Sequence, residues 1–188
     1  MEYETLPYEY WKRQDYLLYA YDVLADMLKQ ADSKQLSNIT LKFKDIEQAK
    51  SFEQAEDKFD WLDNNGYHGK SLKFFSGHVF FLLLRDFCYY IYESISCAQR
   101  GKVTVAYTLL RKPLRDNLLY MEWLLSDAEE FYQKILHCTI EEYDISNKKI
   151  FNRDRIRKIV RRASMKSYMG KAINVQDLVY TFRFNPKD

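Results

Sequence analysis

Residues 71–126, SLKFFSGHVFFLLLRDFCYYIYESISCAQRGKVTVAYTLLRKPLRDNLLYMEWLLS, constrain the fold more than any other stretch of the chain. On a wheel of about 100° per residue, residues 72–100 spread apolar side chains over most of the circumference. These include Phe74, Val79, Phe80, Leu83, Leu84, Phe87, Ile91 and Ile95. The polar residues His78, Arg85, Asp86, Tyr89, Glu93, Ser96 and Arg100 are confined to one stripe. A helix apolar on all but one stripe must be enclosed by others, so it belongs at the centre of a helical domain. Residues 103–125 repeat the pattern, with Thr104, Thr108, Arg111, Arg115 and Glu122 gathered on one side. Leu109, Leu110, Leu114, Leu118, Met121, Trp123 and Leu124 cover much of the rest, and Leu110 and Leu118 are expected in the core. Arg100-Gly101 is the turn between the two, and Pro113, which lacks a backbone donor, should kink the second helix.

The fold class implied is all-α: a helical bundle of six to eight helices around a long antiparallel hairpin, 72–100 and 103–125. Few prolines and glycines (3 and 5) argue against a turn-rich β fold, while 16 Tyr and 12 Phe supply a large core. The length of 188 residues suits one domain spanning 1–188. Three cysteines, Cys88, Cys97 and Cys138, sit in apolar surroundings and read as reduced thiols of a cytoplasmic protein. The longest unbroken apolar run, Val79 to Leu84, is far short of a membrane span and is closed by Arg85-Asp86. No membrane association is expected.

Around the hairpin, Leu17, Tyr21, Leu24 and Leu28 mark a helix over residues 8–30. Residues 31–38 read as a loop, and the alternating Ile39–Phe43 has no partner strand. Asp45 with Gln48 opens a helix carrying Phe52, Ala55, Phe59 and Leu62, which ends at Asn64-Asn65-Gly66. Ser71 is the expected cap of the first spine helix. Capping signals at Ser126–Glu129, Thr139–Glu142 and Asn152 open three more helices, and Asn174 with Asp177 suggests a last one.

Two sets of residues carry possible chemistry. Folding the hairpin at Gly101 brings Arg115 level with Asp86, and Arg111 within a turn of Glu93. A polar seam is then available, with His78, Arg85, Asp86, Tyr89 and Glu93 facing Arg111 and Arg115; the competing reading is two solvated faces. The second set is basic. Residues 1–100 hold 12 Lys/Arg and 16 Asp/Glu, whereas 101–188 hold 17 and 11, so the excess cations are local. Between Lys148 and Lys171 ten Lys/Arg face a single acid, Asp154. On a helix, Ile156, Ile159, Val160 and Ala163 form one side, and Arg155, Arg157, Lys158, Arg161, Arg162 and Lys166 spread over the other. Such fixed charge attracts phosphates, so RNA or another polyanion is the expected partner. No metal or cofactor is expected: His137-Cys138 lacks a second ligand pair, and Asp60, Asp63 and Asn64 miss the spacing of a calcium loop.

From Phe81 to Trp123, a helix ending Ala98-Gln99-Arg100-Gly101 precedes Ala106-x-x-Leu109-Leu110-Arg111 and a Leu-rich helix. This pattern resembles uncharacterised bacterial all-helical proteins related to the HEPN superfamily. The resemblance implies an α-helical fold and a link to RNA-associated or prokaryotic defence proteins. Ribonucleases of that superfamily use an arginine with a histidine four to six residues on, and no arginine of this chain has one. The resemblance therefore hands over no catalytic residue. The expected function is a non-enzymatic, nucleic-acid-associated or interaction protein of HEPN-like type. The alternatives are an enzyme acting on a phosphorylated or nucleic-acid substrate in the Arg/Glu seam, or a helical scaffold that forms a homo-oligomer.

Overall fold

Four side-chain carboxylates or amides decide where helices begin. Asp45 accepts from the Gln48 amide at 2.7 Å, Asp57 from Phe59 and Asp60 at 2.7 and 3.0 Å, and Asp127 from Glu130 at 3.0 Å. Asn152 accepts from Arg155 at 2.9 Å. Each satisfies donors that the first turn of a helix leaves without partners.

The computed structural model describes residues 5–167. Within them the chain is all-helical and contains no strand. The helices are α1 (Tyr8–Ser33), α2 (Ile46–Gln54), α3 (Lys58–Asn64), α4 (His68–Gln99), α5 (Val103–Lys112), α6 (Leu118–Ser126), α7 (Ala128–His137), α8 (Ile140–Tyr143) and α9 (Arg153–Lys166). A π-helical turn, Pro113–Asn117, makes α5 and α6 one continuous rod. The expected helix at Asn174 and Asp177 lies outside the described residues.

Three boundaries differ from expectation. The helix expected from Asp45 to Asn64 is split, because Asp57 starts a new helix of its own. The spine helix begins at His68, so Ser71 lies inside it and is fully buried instead of capping it. Pro113 does more than kink the rod. It cannot donate back to the Leu109 carbonyl and its ring crowds that carbonyl, and the helix passes this point in a π turn closed by an i to i+5 bond from the Leu118 amide to the Pro113 carbonyl. One extra residue is thereby wound into the rod, which turns everything after it by about 100°.

α4 and the α5–α6 rod run in opposite directions. The Ser94 hydroxyl donates to the Ala106 carbonyl, Lys112 reaches the Tyr90 hydroxyl, and the Asn117 amide donates to Asp86 at 2.9 Å. α1 lies along another side of α4, with the Tyr21 and Tyr92 rings 5.2 Å apart. The main core forms where the first half of α4 meets α6, α7 and α9: Phe75, Leu119, Trp123, Leu124, Phe131, Tyr132, Phe151, Ile156, Ile159 and Val160. Leu110 and Leu118 are only half-buried, and the inward position belongs to Leu119, 3% exposed. The turn imposed by the extra residue accounts for the shift from Leu118 to Leu119.

By length and composition alone α4 is the one helix, among the described residues, apolar enough to cross a membrane. Its Asp86 carboxylate, however, is held by Asn117 and lies 3.4 Å from the Lys112 ammonium, the environment of a helix packed against protein.

Leu119→Ala is expected to lower the unfolding free energy by about 2–5 kcal/mol in urea titrations. Leu125→Ala, at a 48% exposed position in the same helix, should leave it within about 0.5 kcal/mol. Equal effects at the two sites would place the core elsewhere.

Candidate functional site

The seam expected on the hairpin does not assemble. The side of α5 that meets α4 carries the buried Ala106, and Arg111 lies on the opposite side, exposed. Arg115 lies within the π turn and pairs with its neighbour Asp116 at 3.4 Å. Among the described residues, neither arginine pairs with Asp86 or Glu93. Asp86 is instead met by Lys112 and Asn117, one before and one after the extra wound residue. Hydrogen bonding to Tyr90 and the nearby Asp86 charge raise the Lys112 pKa.

The rest of the α4 stripe is open. His78 is exposed and rests on Phe74, with ring centres 4.3 Å apart. Arg85 approaches Asp32 of α1 at 3.9 Å across solvent, and Tyr89 and Glu93 are exposed. The geometry is that of solvated faces rather than a shared pocket.

The basic helix divides into two flanks. Its apolar side is buried against α6 through Ile156, Ile159, Val160 and Ala163. On one flank, Arg155 donates to Glu130 at 3.0 Å and lies over the Trp123 and Phe151 rings at 5.2 and 4.4 Å. Arg162 faces Asp127 at 3.7 Å, and Lys166 donates to the Ser126 carbonyl at 3.0 Å. These three cations, expected to contact nucleic acid, are turned to the start of α7. The groove there, of about 580 Å³, is lined by Asp127, Glu130 and Asp154 as well as Arg155, Lys158 and Arg162, so its charges balance. The other flank holds Arg153, Arg157 and Arg161, and Lys158 stands between the two flanks at the edge of the groove; all four are exposed.

A third cluster had no counterpart in the sequence pattern. Ser71 and Tyr132 are fully buried, with their hydroxyls 2.5 Å apart. Tyr132 donates on to Asp63 at 3.0 Å. The other Asp63 oxygen is 3.0 Å from His68 Nδ1, and His68 Nε2 is 2.9 Å from Glu129. His137, 3.7 Å from Asp60, edges the same Tyr132 ring. The only local signal was the close spacing of Asp63, His68 and Ser71; nothing in the sequence joins them to Glu129 and Tyr132, 61 residues further on.

The cluster holds a serine, a histidine and carboxylates, yet its geometry opposes nucleophilic catalysis. Ser71 is sealed from solvent and bonded to a phenol rather than to the imidazole. Both His68 nitrogens face carboxylate oxygens, an arrangement that favours the protonated ring, in which both nitrogens donate. The hydrogen bonds to Glu129 and then Asp63 raise its pKa. Burial, outweighing the Ser71 bond, pushes Tyr132 up to about 12. The cluster is a clamp that ties α3, α4 and α7 together. Among the described residues no group of His, Cys, Asp and Glu is arranged to hold a metal ion, and the three cysteines are free.

Compared with protein-family models, curated proteins and solved structures, the chain matches none of them.

The clamp has a pH signature. A histidine whose folded pKa is raised adds stability in full below its unfolded pKa, about 6.5, and loses it as pH rises through the folded value. The stability difference between wild type and His68→Gln should therefore be larger at pH 5 than at pH 9, read by urea unfolding at each pH. A difference that is flat, or larger at pH 9, would show that His68 is not held charged.

Proposed function

We propose that this chain is a non-enzymatic helical protein that binds RNA or a similar polyanion through the outer flank of α9. The reading agrees with the HEPN-like resemblance of residues 81–123 and with the link to RNA-associated proteins that the resemblance implies. One observation carries it: four cations, Arg153, Arg157, Lys158 and Arg161, are exposed on the outer side of a helix whose opposite side is fixed in the core. A rigid row of cations meets phosphates without first having to be ordered. Lys148 and Lys149, exposed just before α9, add to the same sign of field. The enzyme alternative loses its seam, since Arg111 and Arg115 do not meet Glu93 and Asp86.

The test is binding of a labelled single-stranded RNA, followed by fluorescence anisotropy across salt concentration. Each phosphate contact contributes a slope of about −0.7 in log K against log salt. Replacing Arg157, Lys158 and Arg161 together with Gln should flatten that slope by about two units while the melting temperature hardly moves. Replacing Arg162 alone should leave the slope nearly unchanged, because that guanidinium faces Asp127. No binding at about 50 mM salt removes the nucleic-acid reading.

A further inference from the structure

The bare stripe of α4 has a periodicity that the seam argument did not use. His78, Leu82, Arg85, Tyr89, Tyr92 and Ser96 follow one another at alternating steps of four and three residues. That is the spacing of a helix meant to lie along another helix. The stripe spans roughly 27 Å of helix, from the rise per residue. α1 borders it on one side through Tyr21 and Asp32, and α5 with the π turn borders it on the other through Lys112 and Asn117. Between them Leu82 is 58% exposed, Tyr89 63% and Tyr92 47%. These are large side chains at positions where a coiled-coil helix meets its partner.

The charges along the stripe identify the occupant. Arg85 and Glu93 stand four residues on either side of Tyr89. Among the described residues neither has a strong partner. Arg85 reaches only Asp32, at 3.9 Å and with both side chains largely in water, a pairing worth little. Glu93 is exposed and has no ion pair among the described residues. A second α4 laid antiparallel, with the two-fold axis at Tyr89, places Arg85 opposite the partner's Glu93 and, by symmetry, Glu93 opposite the partner's Arg85. Leu82 then lies opposite the partner's Ser96, and the two Tyr89 rings meet on the axis. The parallel arrangement would instead stack Arg85 on Arg85 and Glu93 on Glu93. The stripe is thus complementary to itself in one orientation only, which is the condition for an isologous two-fold interface.

We propose that α4 is the dimer interface of this protein, pairing antiparallel with a second copy through Leu82, Tyr89 and Tyr92 and two reciprocal Arg85–Glu93 ion pairs. The pairing is independent of the polyanion reading, because α9 packs on α6 and none of its residues belongs to the stripe.

The full chain, freed of nucleic acid by nuclease treatment, is examined by sedimentation velocity over a concentration series. Wild type is expected to dimerise. Arg85→Glu and Glu93→Arg, made separately, set like charges opposite each other twice per dimer and should each weaken association at least about tenfold. The double variant Arg85→Glu with Glu93→Arg restores opposite charges at both places and should recover dimerisation to within about threefold of wild type. Both positions of change are exposed, so thermal melts should match wild type and separate interface loss from misfolding. A wild type that is monomeric throughout overturns the proposal. So does a dimer indifferent to the single reversals, or a double variant that fails to recover.

Discussion

The fold depends on what surrounds the Trp123 indole, which has no exposed surface. Its faces and edges meet Phe131 of α7 and Phe151 before α9, at 4.9 and 5.1 Å between ring centres. Its Nε1 donates to one oxygen of Glu130 at 3.0 Å, and the other oxygen accepts from Arg155. One tryptophan therefore joins three helices through packing, a hydrogen bond and a cation over its ring, and every polar group involved is satisfied. Glu130 is held by both an indole and a guanidinium, so the carboxylate that secures the indole also fixes the tilt of α9. The exposed cations of α9 inherit their direction from that buried arrangement.

This explains why one basic helix carries two kinds of cation. Arg155, Arg162 and Lys166 are spent on fastening α9 to the start of α7, where Asp127, Glu130 and the Ser126 carbonyl receive them. Arg153, Arg157 and Arg161 stay exposed on the other flank, with Lys158 exposed at the edge of the groove. Charge density in sequence was the same for both sets. Only the register of the buried side, Ile156, Ile159, Val160 and Ala163, separates them.

Much of the fold was legible in the sequence because it rested on local rules. Capping residues at Asp45 and Asn152 and the apolar periodicity of α1, α4 and α9 each act within a few residues, whereas α7 takes Asp127 as its cap in place of the expected Ser126. The misreadings began where a local rule met a distant partner or a break in period. A wheel drawn through Pro113 keeps counting at the same angle, whereas the chain winds in one more residue and turns Leu119 inward in place of Leu118. Ser71 has the look of a cap, but Tyr132 draws it into the interior. The His68 clamp joins residues 61 positions apart, and no spacing rule reaches that far. The seam failed for a simpler reason: two helices can each carry a polar stripe and still turn those stripes away from each other.

α1 stands apart from this network. It is 26 residues long, yet only Gln14 and Ala31 are buried, and it packs chiefly against α4. Tyr21 packs on Tyr92, and just before the helix the Thr5 hydroxyl donates to the Gln99 carbonyl. Cooperative unfolding units follow the density of buried contacts, so opening of α1 draws on a small share of the total free energy. Its amides should exchange with solvent hydrogens well ahead of those in α4, α6 and α9. The protein is thus a rigid body wearing a loosely buttoned helix, and the helix that can lift away is the one that borders the exposed stripe of α4.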